Sequence, residues 1–114
     1  MRSADLSFVA LACLSAGAAL AGDPAELRCQ SSGPAATRLC DALTGIVRQI
    51  DEPAVLTLTA EDVAPNHLRA TLTILRDGRS WTRGPAELTI MDRTPIPQDS
   101  IETFAATLLK GAGL

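Results

Sequence analysis

The chain has 114 residues, is 46% hydrophobic and 20% charged, and carries a formal net charge of −3 at neutral pH. That length limits it to one domain, and the composition is too apolar for a disordered chain. The mild acidity argues against nonspecific nucleic-acid binding, which needs a clustered basic surface, and no heptad array or longer repeat suggests a coiled coil or solenoid.

The first segment reads as a secretory signal peptide, residues 1–21. Arg2 gives a small positive start, partly offset by Asp5, and an apolar run follows from Leu6 to Leu20. Ala19-Leu20-Ala21 supplies the small-x-small pattern before cleavage, with Gly22 as the new N-terminus. The run is shorter than the roughly 20 residues that a spanning helix needs. Lipoprotein anchoring through Cys13 is disfavoured, because the apolar run before it is short and lacks an aliphatic residue three positions upstream. Cleavage would remove one basic and one acidic residue and leave the net charge unchanged. Residues 22–114 are then expected to form a single disulfide-containing α+β domain, periplasmic or secreted, with no stable membrane span.

Asp23-Pro24-Ala25-Glu26 has the signature of a helix start, with an N-cap Asp and a Pro at the first helical position. The expected helix is short, because Ser31-Ser32-Gly33-Pro34 breaks it near Cys29 or Gln30. A longer helix is predicted from about Ala35, where Leu39, Leu43, Ile46, Val47 and Ile50 recur at helical spacing until Asp51-Glu52-Pro53 ends it. Cys29 and Cys40 are the cysteines left after cleavage, an even pair in an exported chain. Their bridge would close a loop of about a dozen residues, worth roughly 3 kcal/mol in the chain-entropy model.

The apolar period then falls from 3.6 to 2. Ala54, Leu56, Leu58 and Ala60 share one face of a strand; Glu61 to Asn66 read as a polar loop. Leu68, Ala70, Leu72 and Ile74 share one face of the next strand. Asp77-Gly78 signals a two-residue type I′ hairpin turn. That turn sets Arg76 opposite Arg79, Leu75 opposite Ser80, and Ile74 opposite Trp81, which puts Trp81 inward. Ala86, Leu88 and Ile90 have the opposite parity, so one extra residue is needed at Arg83-Gly84-Pro85, as a bulge or break. Asp99-Ser100-Ile101-Glu102 is a capping box for a last helix, with Ile101, Phe104, Ala105 and Leu108 as its stripe, Lys110 near its end and Gly111 as an αL cap. The expected order is α-α-β-β-β-α. The expected fold is a small two-layer α+β sandwich, an antiparallel three-stranded meander with two main helices on one face.

The residue inventory names no reaction. The single histidine, His67, sits beside a turn, where a solvent-exposed role is ordinary. Gly78-Arg79-Ser80-Trp81-Thr82 lacks the last glycine of a nucleophile elbow and lies on a hairpin, not on a strand-to-helix turn. The acidic pairs Asp51-Glu52 and Glu61-Asp62 bracket the first long strand and diverge, whereas paired acid/base chemistry needs convergence. No metal-ligand spacing, calcium loop or phosphate- or dinucleotide-binding motif is present, so no catalytic, metal or cofactor residue is assigned.

Two features depart from a plain acidic surface. Arg69, Arg76, Arg79 and Arg83 cluster on one hairpin, where guanidinium groups could meet an anionic partner. The outer sheet face, with Val55, Thr57, Thr71, Thr73, Leu75, Thr82 and Thr89, is Thr-rich and low in charge, and a meander leaves two edges that could take a partner strand or a second copy. The expectation is a noncatalytic periplasmic or secreted interaction module whose partner is an unidentified envelope or secreted protein, with a homodimer through the sheet open to it. The alternative is a carrier of a small apolar ligand held between sheet and helices.

Overall fold

The computed structural model describes residues 25–91 and 94–111. The expected signal segment, residues 1–21, lies outside them. The elements run β1 (Glu26–Ser32), α1 (Pro34–Val47), β2 (Val55–Ala64), β3 (His67–Arg76), β4 (Arg79–Thr89) and α2 (Gln98–Lys110). They form one four-stranded sheet in the order β1-β2-β3-β4, with β1 parallel to β2 and the other pairs antiparallel.

This corrects the expected three-stranded meander and its order α-α-β-β-β-α: the observed order is β-α-β-β-β-α. The segment expected to be a short helix is the edge strand β1. Its cap signals are real, but one or two turns of isolated helix are marginal in water. As a strand, the same residues gain a ladder along β2, from Glu26 opposite Val55 to Ser32 opposite Glu61. Leu27 and Cys29 then fall on the face that carries Leu56 and Leu58. The chain returns through α1, so β1, α1 and β2 make a βαβ unit.

The antiparallel part follows the expected register. Asp77 and Gly78 both have positive φ, 55° and 74°, as a type I′ turn requires. Arg76 pairs with Arg79, Leu75 with Ser80 and Ile74 with Trp81; beyond the turn, Ala70 pairs with Ala86 and Leu68 with Leu88. The extra residue falls between the pairs Leu72–Arg83 and Ala70–Ala86. Gly84 adopts φ +103°, and a Cβ there would stand 2.8 Å from the Ala70 carbonyl oxygen, so the irregularity needs glycine for both reasons. The expected loop over Glu61 to Asn66 is shorter than anticipated: β2 continues to Ala64, with a register shift between Asp62 and Ala64, and only Pro65-Asn66 turns.

The core is one cluster between the sheet and the two helices. Leu56, Leu58, Leu68, Leu72 and Ile74 from the sheet meet Leu39 and Leu43 of α1 and Ile101 of α2, all fully buried, with Ile96 from the preceding connection. Each such side chain contributes roughly 1.5–3 kcal/mol of transfer free energy. Trp81 is inward but only half-buried. Cys29 and Cys40 are bonded, with Cα atoms 6.2 Å apart, and the bridge ties β1 to α1.

Both helices depart in part from expectation: α1 stops at Val47, short of Ile50, where the apolar stripe was expected to end. α1 has no cap from its own side chains; its N-cap is Gly33. Asp62 of β2 supplies the cap from across the fold, accepting the N–H groups of Ala35 at 3.1 Å and Ala36 at 2.8 Å. A Cβ on Gly33, which has φ +110°, would come within 2.5 Å of the Asp62 carboxyl carbon. The Asp99-Ser100-Ile101-Glu102 box does not start α2. That helix begins two residues earlier than the box implies, at Gln98 after Pro97, and Asp99 already lies in its first turn, accepting the Ser100 N–H at 2.9 Å. Gly111 closes α2 in a right-handed conformation, φ −70°, not as an αL cap.

Candidate functional site

The helices cover one face of the sheet and leave the other open. Cross-strand register orders that open face in rows. Glu26, Val55, Leu75 and Ser80 form one end row, and Arg28, Thr57, Thr73 and Thr82 the next. Gln30, Thr59 and Thr71 follow, and Ser32, Glu61, Arg69 and Glu87 form the charged end, with His67 and Thr89 opposite each other just beyond. The middle is uncharged apart from Arg28, and Thr73 and Thr82 hydroxyls meet at 3.3 Å. Leu75, 47% exposed beside Val55, is the apolar corner of this surface.

The charged end row is more organised than single residues suggested. Arg69 stands between Glu61 and Glu87 in register, with its Nε 3.9 Å from a Glu87 oxygen. His67 Nε2 meets the other Glu87 oxygen, so one carboxylate joins the histidine and the arginine. His67, expected to face solvent, gains a partner that no local pattern signals: Glu87 is twenty residues away, opposite Arg69 and diagonal to His67, in a register set by the bulge. Asp62, expected only as one of a diverging acidic pair beside the first long strand, is likewise the unforeseen cap of α1. Its signal was the absence of any capping side chain at Gly33.

The four hairpin arginines do not share one surface. Arg69 lies on the open face. Arg76 and Arg79 oppose each other beside the turn, on the parity of the helix-covered face. Arg76 is engaged by Glu52 at 2.6 Å and Asp77 at 3.8 Å, whereas Arg79 is exposed with no ion-pair partner among the described residues. Arg83 pairs in register with Leu72 and so also takes the helix side. Its guanidinium occupies the space where a Gly111 side chain would go, at the C-terminal end of α2, where the helix dipole favours a cation. Its Nε is buried with no hydrogen-bond partner among the described residues.

The surface concavities are shallow. A groove of about 360 Å³ lies where α2 leaves β4 partly uncovered, lined by Leu88, Phe104, Asp99, Ser100, Thr103 and Thr107. Another of about 270 Å³ lies at the N-terminal end of α1, with Arg38 and Asp62 among its walls. Neither assembles a nucleophile beside a base. No group of three or more His, Cys, Asp or Glu side chains that could hold a metal ion occurs among the described residues, and no helix among them is long and apolar enough to cross a membrane. Comparison with known protein families found no family model that matches the chain, and comparison with curated proteins found no significant relative.

Proposed function

We propose that the protein is a noncatalytic interaction module that acts in the periplasm or outside the cell after removal of residues 1–21. The observation that carries this reading is the uncovered sheet: one complete face with a Thr-rich, low-charge centre and an apolar corner at Val55 and Leu75, on a domain whose other face is packed. Such a surface offers area and backbone edges but no reacting groups. The Cys29–Cys40 bridge supports export, since structural disulfides persist in oxidising compartments. Arg79 at the hairpin tip and Arg69 on the open face are the cations through which an acidic partner would be steered.

The test is capture of partners from the native envelope fraction by the wild-type protein and two variants. Replacing Arg69, Arg76 and Arg79 together with Ser should weaken capture at low salt, and Thr73→Lys, in the middle of the open face, should abolish it if that face is the contact. Full capture by both variants would remove the basis for an interaction module at these sites.

A further inference from the structure

The two free edges of the sheet differ. The β4 edge is interrupted at Gly84-Pro85, where the register slips and a proline brings no N–H. The β1 edge has neither glycine nor proline, and its seven residues pair with β2 in unbroken register. In a parallel ladder a residue turns both backbone groups to the same neighbour, and its successor turns both away. Glu26 donates its N–H to the Ala54 carbonyl at 2.8 Å. Glu26, Arg28, Gln30 and Ser32 therefore face β2, and Ala25, Leu27, Cys29 and Ser31 present N–H and C=O groups outward, where the sheet has no further strand among the described residues.

We propose that this edge pairs antiparallel with the same edge of a second copy, about a twofold axis through Leu27. The charge pattern of β1 selects that axis: Glu26 and Arg28, which pair with each other along the strand at 2.7 Å, extend that pairing across it. Leu27 opposite Leu27 of the second copy sets Glu26 opposite its Arg28 and Arg28 opposite its Glu26, with Ala25 opposite Cys29. The central residue and the Ala25–Cys29 pairs are all among those with outward backbone groups, so they form the hydrogen-bonded pairs. An axis through Arg28 would oppose two arginines, which destabilises a strand pair. An axis through Cys29 would leave Glu26 and Arg28 facing Ser32 and Gln30.

The geometry of α1 is compatible with that axis. Cys40, bonded to Cys29, fixes which flank of α1 overhangs β1. At 100° per residue, Thr37 and Thr44 lie on that flank, whereas Asp41 sits on the crest, lining a shallow groove with Glu102 of α2, and Arg38, which bonds Gln98 at 3.3 Å, lies on the flank toward α2. Thr44 is about 6 Å beyond Cys40 along a helix rising 1.5 Å per residue. Since α1 runs back against β1, that distance equals about two strand residues from Cys29 toward the N-terminus, which is the level of Leu27. The same axis therefore brings Thr44 of each copy to the level of Thr44 of the other. With α1 seated over β1 and β2, the two copies of α1 would run about 10 Å apart, a normal helix spacing, with Thr37 and Thr44 between them.

The inference deepens the reading of the protein as an interaction module by naming a second copy as one partner. It leaves the hairpin and the open face free, so self-association of the pure protein and capture of other proteins fail or succeed separately. Sedimentation of the purified full chain at about 100 μM in low salt should show a dimer. Arg28→Glu should weaken it by about tenfold or more, and the exchange Glu26→Arg with Arg28→Glu should restore it. Thr44→Arg, which would set two arginines against each other between the copies of α1, should weaken it independently of β1. Leu27→Pro removes an outward N–H together with a half-buried side chain and should give a monomer with the disulfide intact; if that variant misfolds, the charge exchange still decides. A monomeric wild-type protein under these conditions, or a dimer indifferent to Arg28→Glu and Thr44→Arg, overturns the proposal.

Discussion

The centre of the sheet and its edges are held by different physics. On β2 and β3 every inward residue from Leu56 to Ala60 and from Leu68 to Ile74 is buried. On β1 and β4 no residue is: Leu27, Cys29, Trp81, Ala86 and Leu88 are all half-exposed. Burial alone secures the central pair. The edges need other devices, a disulfide and a parallel ladder for β1, a tight turn and a glycine-dependent bulge for β4. A domain this small buries too little surface for its margins to be held by the core alone.

Substitutions graded by effect would break or sharpen that contrast. Leu72→Ala in the centre should cost about 3–5 kcal/mol, read as a shifted urea midpoint at unchanged slope. Cys29→Ser with Cys40→Ser should cost about 3 kcal/mol, and hydrogen exchange should speed most in β1 and in the β2 amides that bond to it. Equal acceleration throughout the sheet would mean that β1 is not a separately held edge. Trp81→Ala should cost about 2 kcal/mol in thermal melting, less than a fully buried aromatic, because part of its ring already meets water. Asp62→Ala should cost about 1–2 kcal/mol, since two N–H groups of α1 lose their acceptor; rescue by Asp62→Asn would confirm capping over charge. Arg79→Ser, at the exposed hairpin tip, should change stability by less than about 0.5 kcal/mol.

Much of the antiparallel half was legible because its rules are local. Asp77-Gly78 sets which residues oppose one another, and the parity conflict between Trp81 and Ala86 then forces an extra residue near Gly84. The helical stripe of Leu39, Leu43 and Val47 was equally plain, as was the cysteine pair. β1 was not legible. Pro24 and Glu26 carry helix-start signals, and the alternation of Leu27 and Cys29 is too short to outweigh them. Of the surface, the Thr-rich face could be listed in advance, but the dispersal of the four arginines could not. One added residue at the bulge turns Arg83 to the helix side, while Arg69 stays on the other.

By itself, the sequence determined the positions that interact through nearby chain: the hairpin register, the faces of β2 and β3, the buried stripe of α1 and the pairing of Cys29 with Cys40. Only the tertiary structure decided that residues 26–32 form a strand, that it lies parallel to β2, and that Asp62 caps a helix whose first turn is 26 residues behind it. Those outcomes depend on hydrogen-bonding groups supplied by distant segments. A backbone N–H takes whichever acceptor the whole fold brings within reach, and no local pattern records where that acceptor will come from.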